Sequence, residues 1–215
     1  SQQSTLPEMS APSGSKNIQS TREDLIQSIS KYAQPDYQKA FWQISNTFVP
    51  YIGLWAFMVF TVLHSFPYWL TFLLSVAASG FLVRIFILFH DCCHVAFFPS
   101  RRANRILGYI AGIMTFTPFE DWQRTHVIHH SASGDLDRRG VGDIWTMTVD
   151  EYLSASRLKR FAYRFFRNPF LLFGIIPWVL FLIIQRFPSA GAKKRERLSV
   201  IFTNVAIAAT ITVIS

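Results

Sequence analysis

The chain has 215 residues, of which 50% are hydrophobic, and its mean hydropathy is +0.24. This apolar content excludes disorder along its whole length. Its two cysteines, Cys92 and Cys93, are neighbours, which excludes a disulfide framework. The net charge is +8, but the sequence contains no nucleic-acid-binding motif. In a chain this apolar, the basic residues are expected to determine membrane topology and to contact anionic lipid headgroups.

The N-terminal part is polar. Residues 1–20 are rich in Ser, Gln and Pro, and we expect them to be disordered and without the apolar core of a signal peptide. Residues 21–46 are predicted to hold a short cytoplasmic amphipathic helix that starts at Thr21 and ends at Pro35. Its apolar face would consist of Leu25, Ile26, Ile29 and Tyr32.

Four apolar runs follow, at about residues 47–63, 68–89, 169–185 and 198–215. A helix that crosses a membrane needs about 20 apolar residues, within a range of about 17–25. The sequence therefore predicts an all-α membrane protein with four transmembrane helices, the last one cut by the end of the chain at Ser215. A shorter apolar piece, 106–116, is expected to lie at the interface.

The polar stretch 90–168 contains two helix starts. Thr117 to Glu120 has the pattern of a capping box and predicts a helix over 118–131. Thr148 to Glu151 is a second capping box. In the segment after it, aromatic and aliphatic residues lie on roughly one side of the predicted helix, and five arginines and lysines surround them. This pattern is typical of a helix on a membrane surface.

Basic residues predict the topology. The stretch 90–168 holds eleven Lys and Arg and the N-terminal segment holds four, whereas the connection 64–67 holds none. This bias places the N-terminus and 90–168 in the cytoplasm. The loop 186–197 carries five more basic residues, yet strict alternation of four spans would place it outside.

Five of the six histidines form two groups, His90-Asp-Cys-Cys-His94 and His126-Val-Ile-His129-His130. Residues three or four positions apart share one face of a helix, so each group presents its imidazoles together. The sixth, His64, stands alone at the outer end of the first run and is interpreted as an interfacial residue. Ordinary polar residues at a membrane edge would not be expected to group in this way.

Imidazole suits zinc, copper, iron and nickel. Five histidines exceed the needs of one tetrahedral ion, which favours two metals. Neither group has the glutamate of a zinc protease, and a bis-histidine haem would use only two ligands.

The two groups resemble the first and second histidine boxes of the membrane fatty acid desaturases. The stretch from Ser133 to Thr148 and the stretch from Tyr163 to Pro169 are similar to the bacterial omega-6, or Δ12, acyl desaturases. The resemblance covers about residues 40–215. It identifies 47–215 as a membrane desaturase domain with 90–168 as its cytoplasmic histidine-box region.

The resemblance implies a diiron enzyme. It would use O2 and two electrons, from ferredoxin or cytochrome b5, to insert a cis double bond into a monounsaturated acyl lipid in the membrane. No nucleic acid would take part. The iron ligands implied are His90, His94, His126, His129 and His130.

The sequence departs from the family at one point. A third box, another H-x-x-H-H, should follow the fourth run, but no histidine follows His130. We therefore expect an incomplete, N-terminal fragment that is inactive by itself. The alternatives are a histidine-box hydroxylase or monooxygenase acting on a fatty acid, alkane or carotenoid, and an inactive metal-binding membrane remnant.

Metal-bound imidazoles usually donate their second N–H to a carboxylate or carbonyl oxygen. Four aspartates could accept it, although solvated carboxylates would look the same in the sequence: Asp91, Asp121, Asp135 and Asp143. Trp122 and Trp145 could line an acyl path, but anchoring at the interface is the favoured interpretation.

Overall fold

The structure is a computed structural model that describes residues 24–25, 27–30, 34–137, 139–140, 142 and 144–214. The chain divides into two units, Ser1–Pro35 and Asp36–Ser215. In the first unit, 24–25 and 27–30 are helical, as predicted, and the predicted helix start at Thr21 lies outside the described residues.

The second unit is built from helices, and no strand occurs among its described residues, which confirms the all-α prediction. In chain order they are α1 Tyr37–Leu63, α2 Tyr68–Cys93, α3 Arg101–Met114, α4 Phe119–Ala132, α5 Val149–Ser154, α6 Arg157–Phe166, a π-helical turn Phe170–Ile175, α7 Ile176–Leu182, a 3-10 turn Ile184–Arg186, and α8 Lys194–Ile214.

Three of these helices, α1, α2 and α8, are long and apolar enough to cross a membrane. Helix α1 starts ten residues before the apolar run because Asp36 caps it, accepting a hydrogen bond from the Lys39 N–H at 2.9 Å. Helices α1 and α2 form a hairpin. Polar side chains join them at both ends, where the Thr61 and Thr71 hydroxyls lie 3.0 Å apart and Arg84 donates to Asn46 at 2.8 Å.

The third apolar run, 169–185, is not one straight helix. It is divided into the π-helical turn, α7 and the 3-10 turn, and it bends by 53° from α6. The break follows Asn168, whose side chain accepts the Phe170 N–H, and precedes Pro177, which lacks an N–H to donate. A fourth transmembrane crossing therefore stays a prediction.

One predicted capping box is confirmed and the other is wrong. Thr148 and Glu151 cap the start of α5 reciprocally. At α4, however, the N-cap is Pro118, which makes no side-chain hydrogen bond. The Thr117 hydroxyl instead donates to the Thr115 carbonyl, because the tight turn after α3 directs it away from the helix.

Helices α2, α3 and α4 pack around a buried cluster that includes Phe89, Leu107 and Phe119. Two glycines of α3 allow α4 and the turn before it to pack closely against α3. A Cβ on Gly108 would lie 2.2 Å from the ring of Phe119, and one on Gly112 would lie 2.4 Å from the Thr117 carbonyl oxygen. The small α3 residues therefore set the position at which α4 begins.

This packing predicts that Gly112→Ala destabilises the protein. The added methyl would collide with a backbone oxygen, and overpacking of this kind costs about 1–3 kcal/mol. Gly80→Ala is the control, because nothing lies within 4 Å of its Cβ and alanine favours a helix over glycine by about 1 kcal/mol. Thermal unfolding of the purified protein in detergent checks both, and equal stability of the two variants would contradict the packing.

Candidate metal centre

Two helix ends carry the histidines. His90 lies in the last turn of α2, and His94 follows directly as its C-cap. His126 and His130 are one turn apart on α4, so their rings share the face that points toward the end of α2. His64 is not on these helix ends; it follows the last residue of α1, where its Nδ1 is 3.0 Å from the Phe60 carbonyl oxygen.

The structure brings four imidazoles together. His90, His94, His126 and His130 each present one ring nitrogen, and these four nitrogens lie within 4.8 Å of one another. The Nε2 atom of His126 is the centre of the group. It lies 2.9 Å from Nε2 of His90 and 3.0 Å from Nε2 of both His94 and His130.

This donor set suits a metal ion. A neutral imidazole has one N–H and one lone pair, so three nitrogens around His126 Nε2 cannot all form hydrogen bonds with it. Most of these contacts bring lone pairs together, an arrangement that a cation stabilises. Imidazole nitrogens are ligands for iron, zinc, copper and nickel.

The surroundings orient His90 and keep His126 neutral. His90 Nδ1 lies 3.2 Å from an oxygen of Asp91, which fixes that nitrogen as the protonated one and leaves Nε2 as the acceptor. Burial, reinforced by the neighbouring imidazoles, lowers the pKa of His126 to about 4. His126 is therefore neutral, and able to bind metal, at neutral pH.

Two residues position α4 against α2: Gln123, for which the sequence suggested no role, and Trp122, which was interpreted as an interfacial anchor. The ring of Trp122 stacks on that of His126 with centroids 4.2 Å apart, and it also contacts Phe86 and Phe89. Gln123 donates from Nε2 to the Cys93 carbonyl oxygen at 2.6 Å, which ties the two histidine-bearing helices together. The spacing of four residues between Trp122 and His126 is the signal that could have shown the stack.

His129 is not part of the group of four, although the spacing placed it on the same face. Its ring centroid lies 6.2 Å from that of His126, and Gly142 packs close to its Cβ. His129 instead lines a cavity of about 410 Å³ that Leu136 and Ile144 also border. The cavity therefore adjoins the histidine cluster through this one side chain.

The predicted aspartates that the structure describes lie in different environments. Asp91 contacts His90, as a carboxylate beside a metal ligand would. Asp121 contacts no histidine; its carboxylate accepts the N–H and the hydroxyl of Ser189 at 3.1 and 2.6 Å. Asp135 lines the cavity beside His129, and Asp143 lies outside the described residues.

A buried carboxylate with two partly exposed arginines holds the first turn of α4. Glu120 is only 4% exposed and forms ion pairs with Arg105 of α3 at 2.8 Å and Arg195 of α8 at 2.6 Å. The Glu120 N–H donates to the Ser199 hydroxyl at 3.1 Å. Together with Asp121 and Ser189, these contacts attach residues 186–199 to the histidine helix, and we call them the clasp.

Comparison with known proteins places these features in a wider context. The sequence model described as fatty acid desaturase matches residues 67–215. The chain is 46% identical over 194 residues to a fatty acid desaturase of Bacillus subtilis (strain 168), which covers 90% of this chain and 54% of that protein.

More distant relatives match over shorter stretches. An omega-3 fatty acid desaturase of Caenorhabditis elegans is 26% identical over 60% of this chain and 27% of its own length. A Δ12 fatty acid desaturase of Mortierella alpina is 33% identical over 26% of this chain and 14% of its own length. The chain thus spans about half the length of the Bacillus relative and less of these two. No solved structure matches the chain.

Proposed function

Because the chain belongs to the fatty acid desaturase family, we propose that it contributes to an acyl-lipid desaturase that inserts a cis double bond, at the Δ12 or omega-6 position, into a monounsaturated chain. The observation that carries the proposal is the convergence of four imidazoles from two histidine boxes. The enzyme would be a multi-pass membrane oxidoreductase with its histidines on the cytoplasmic face.

The cofactor we propose is a pair of non-haem iron ions. The proposed ligands are the four clustered histidines together with His129, which lies beside them. Iron held there would supply the O2-dependent oxidising power that removal of hydrogen from an unactivated methylene requires, and which no side chain possesses. Two electrons would come from a donor such as ferredoxin or cytochrome b5.

The residues of the chain prepare this site. Asp91 keeps Nδ1 of His90 protonated, and the low pKa of His126 keeps its imidazole neutral. Trp122 of α4 stacks on His126 and contacts Phe89 of α2, which holds the His126 ring in place. Each of these residues acts on the orientation or protonation of a ligand.

The substrate class rests on two observations. Three helices are long and apolar enough to lie in a membrane, where acyl lipids are found. We propose that an alkyl chain enters the cavity beside His129, where Leu136 and Ile144 form part of a lining that also includes charged side chains. Δ12 chemistry is the choice we propose between the omega-3 and Δ12 activities named for the distant relatives.

The test is expression of the complete reading frame that carries this chain, followed by mass spectrometry of the lipid acyl chains. We expect a new double bond at Δ12 and about two irons per purified chain. A new bond at the omega-3 position would correct the regiochemistry. Hydroxylated products alone would favour the monooxygenase, and a correctly inserted protein without iron would favour a non-catalytic metal-binding relative.

A further inference from the structure

If the apolar segment 169–185 crossed the membrane, the basic loop that follows it would lie on the side opposite to the other basic residues. The loop 186–197 contains five Lys and Arg, and such a crossing would separate it from the eleven in 90–168. The structure shows where the end of the segment lies, and the sequence limits the side on which it starts.

The end of the segment lies beside the histidine helix. Ser189 contacts Asp121 through two hydrogen bonds, and Arg186 donates to the Phe116 carbonyl oxygen just before α4. Asp121 precedes His126 by five residues, which is about 7.5 Å of helix rise. The apolar core of a bilayer is about 30 Å thick, so Ser189 and the histidines cannot lie on opposite sides of it.

The start of the segment lies on the same side. Between His130 and Asn168 the sequence contains no apolar run long enough to cross a membrane. This stretch includes the short helices α5 and α6. The segment 169–185 therefore leaves and returns to the side of the membrane on which the histidines lie.

We propose that residues 157–187, which we call the leaflet segment, bind one leaflet of the bilayer from the histidine side and do not cross it. In α6 the side chains of Leu158 and Phe161 are 77% and 66% exposed, and in the π-helical turn Phe170 and Phe173 are 86% and 79% exposed. These exposed apolar side chains would enter the acyl region. The 53° bend would separate a surface-lying α6 from an inserted 169–185.

Charge complementarity identifies the lipid. The leaflet segment contains six Lys and Arg and no Asp or Glu. Within the part of the chain that the structure describes, Arg157, Lys159 and Arg167 form no ion pair. Basic residues on an amphipathic helix attract anionic headgroups with about 1 kcal/mol each. The leaflet segment therefore fits anionic phospholipid, and both basic stretches come to lie on one side.

Cysteine accessibility tests the topology. Single cysteines are placed at Lys193 in the basic loop, at Ser154 as the reference for the histidine side, and at Tyr68 as the reference for the opposite side, all three being exposed. The native Cys92 and Cys93 are buried, and the parent protein gives their background. Sealed vesicles of both orientations are treated with an impermeant maleimide.

We expect Lys193→Cys to react from the same side as Ser154→Cys and from the side opposite to Tyr68→Cys. Reaction from the side of Tyr68→Cys would overturn the proposal. So would protection from both sides, because the loop would then be embedded.

Lipid selectivity tests the headgroup. Spin-labelled phosphatidylglycerol and phosphatidylcholine are compared with the whole protein in vesicles, and we expect several-fold preference for the anionic lipid, reduced by salt. The variant R157Q/K159Q/R167Q should lose most of the preference. R101Q/R102Q/K193Q removes the same charge elsewhere and should retain most of it.

Equal loss in the two triple variants, or no preference in the parent, would refute the proposed lipid contact. Neither measurement uses iron or turnover. The proposal for the leaflet segment is therefore tested independently of the proposed desaturase function.

Discussion

Replacing His126 with alanine is expected to abolish high-affinity metal binding. Its Nε2 lies within 3.0 Å of the ring nitrogens of the three other clustered histidines, so its loss removes the shared centre of the donor set. Loss of a residue that merely supports a ligand costs about 10- to 100-fold in metal affinity. We therefore expect His126→Ala to weaken binding by at least about 100-fold, measured by Co²⁺ titration and by bound iron.

His64→Ala is the matched control, because His64 lies at the far end of α1 and should leave metal content unchanged. His129→Ala tests the fifth histidine separately, because His129 lies beside the group of four and is not part of it. We expect it to abolish desaturation in the complete protein while membrane insertion stays intact. Unchanged metal affinity in His126→Ala would contradict the proposed centre.

Replacing Glu120 with alanine is expected to cause a large loss of stability. The carboxylate is buried and joins α3, α4 and α8 through Arg105 and Arg195. Breaking a buried ion pair costs about 3–5 kcal/mol. Because the two arginines are 53% and 61% exposed and can be rehydrated, we expect the lower end, about 3 kcal/mol, in the free energy of unfolding in detergent.

Asp150→Ala is the control, since this exposed carboxylate on α5 should change stability by less than about 0.5 kcal/mol. A double-mutant cycle with Arg195→Ala isolates the ion pair from the loss of packing. Additive effects in that cycle would show that Glu120 and Arg195 do not stabilise the protein through their contact.

Local patterns predicted much of this molecule. Three of the four apolar runs coincide with long helices, and the i, i+4 spacing predicted the histidine faces, because both depend on local sequence pattern. The capping box at Thr148 was correct because its two hydrogen bonds lie within four consecutive residues. The one at Thr117 failed because the tight turn between α3 and α4 controls the orientation of its hydroxyl.

The clasp could not have been predicted in this way. Asp121 and Glu120 look like ordinary acidic residues in the first turn of a helix, and their partners in 186–199 follow 68 to 79 residues later. No periodicity connects positions that far apart. For the same reason the sequence suggested Asp121 as a partner for a histidine, whereas tertiary packing directs it to Ser189.

The clasp also has a consequence for the order of events during biosynthesis. The hydrogen bond from Glu120 to Ser199 spans 79 residues, whereas the clustered histidines, from His90 to His130, lie within 40 positions of one another. At about 5–20 residues per second, a ribosome needs about 4–16 s to make the intervening chain. The four clustered imidazoles are therefore synthesised before the segment that fixes their helix exists. Until Ser199 has been made, only contacts with earlier parts of the chain, such as that of Gln123 with Cys93, hold α4 in place.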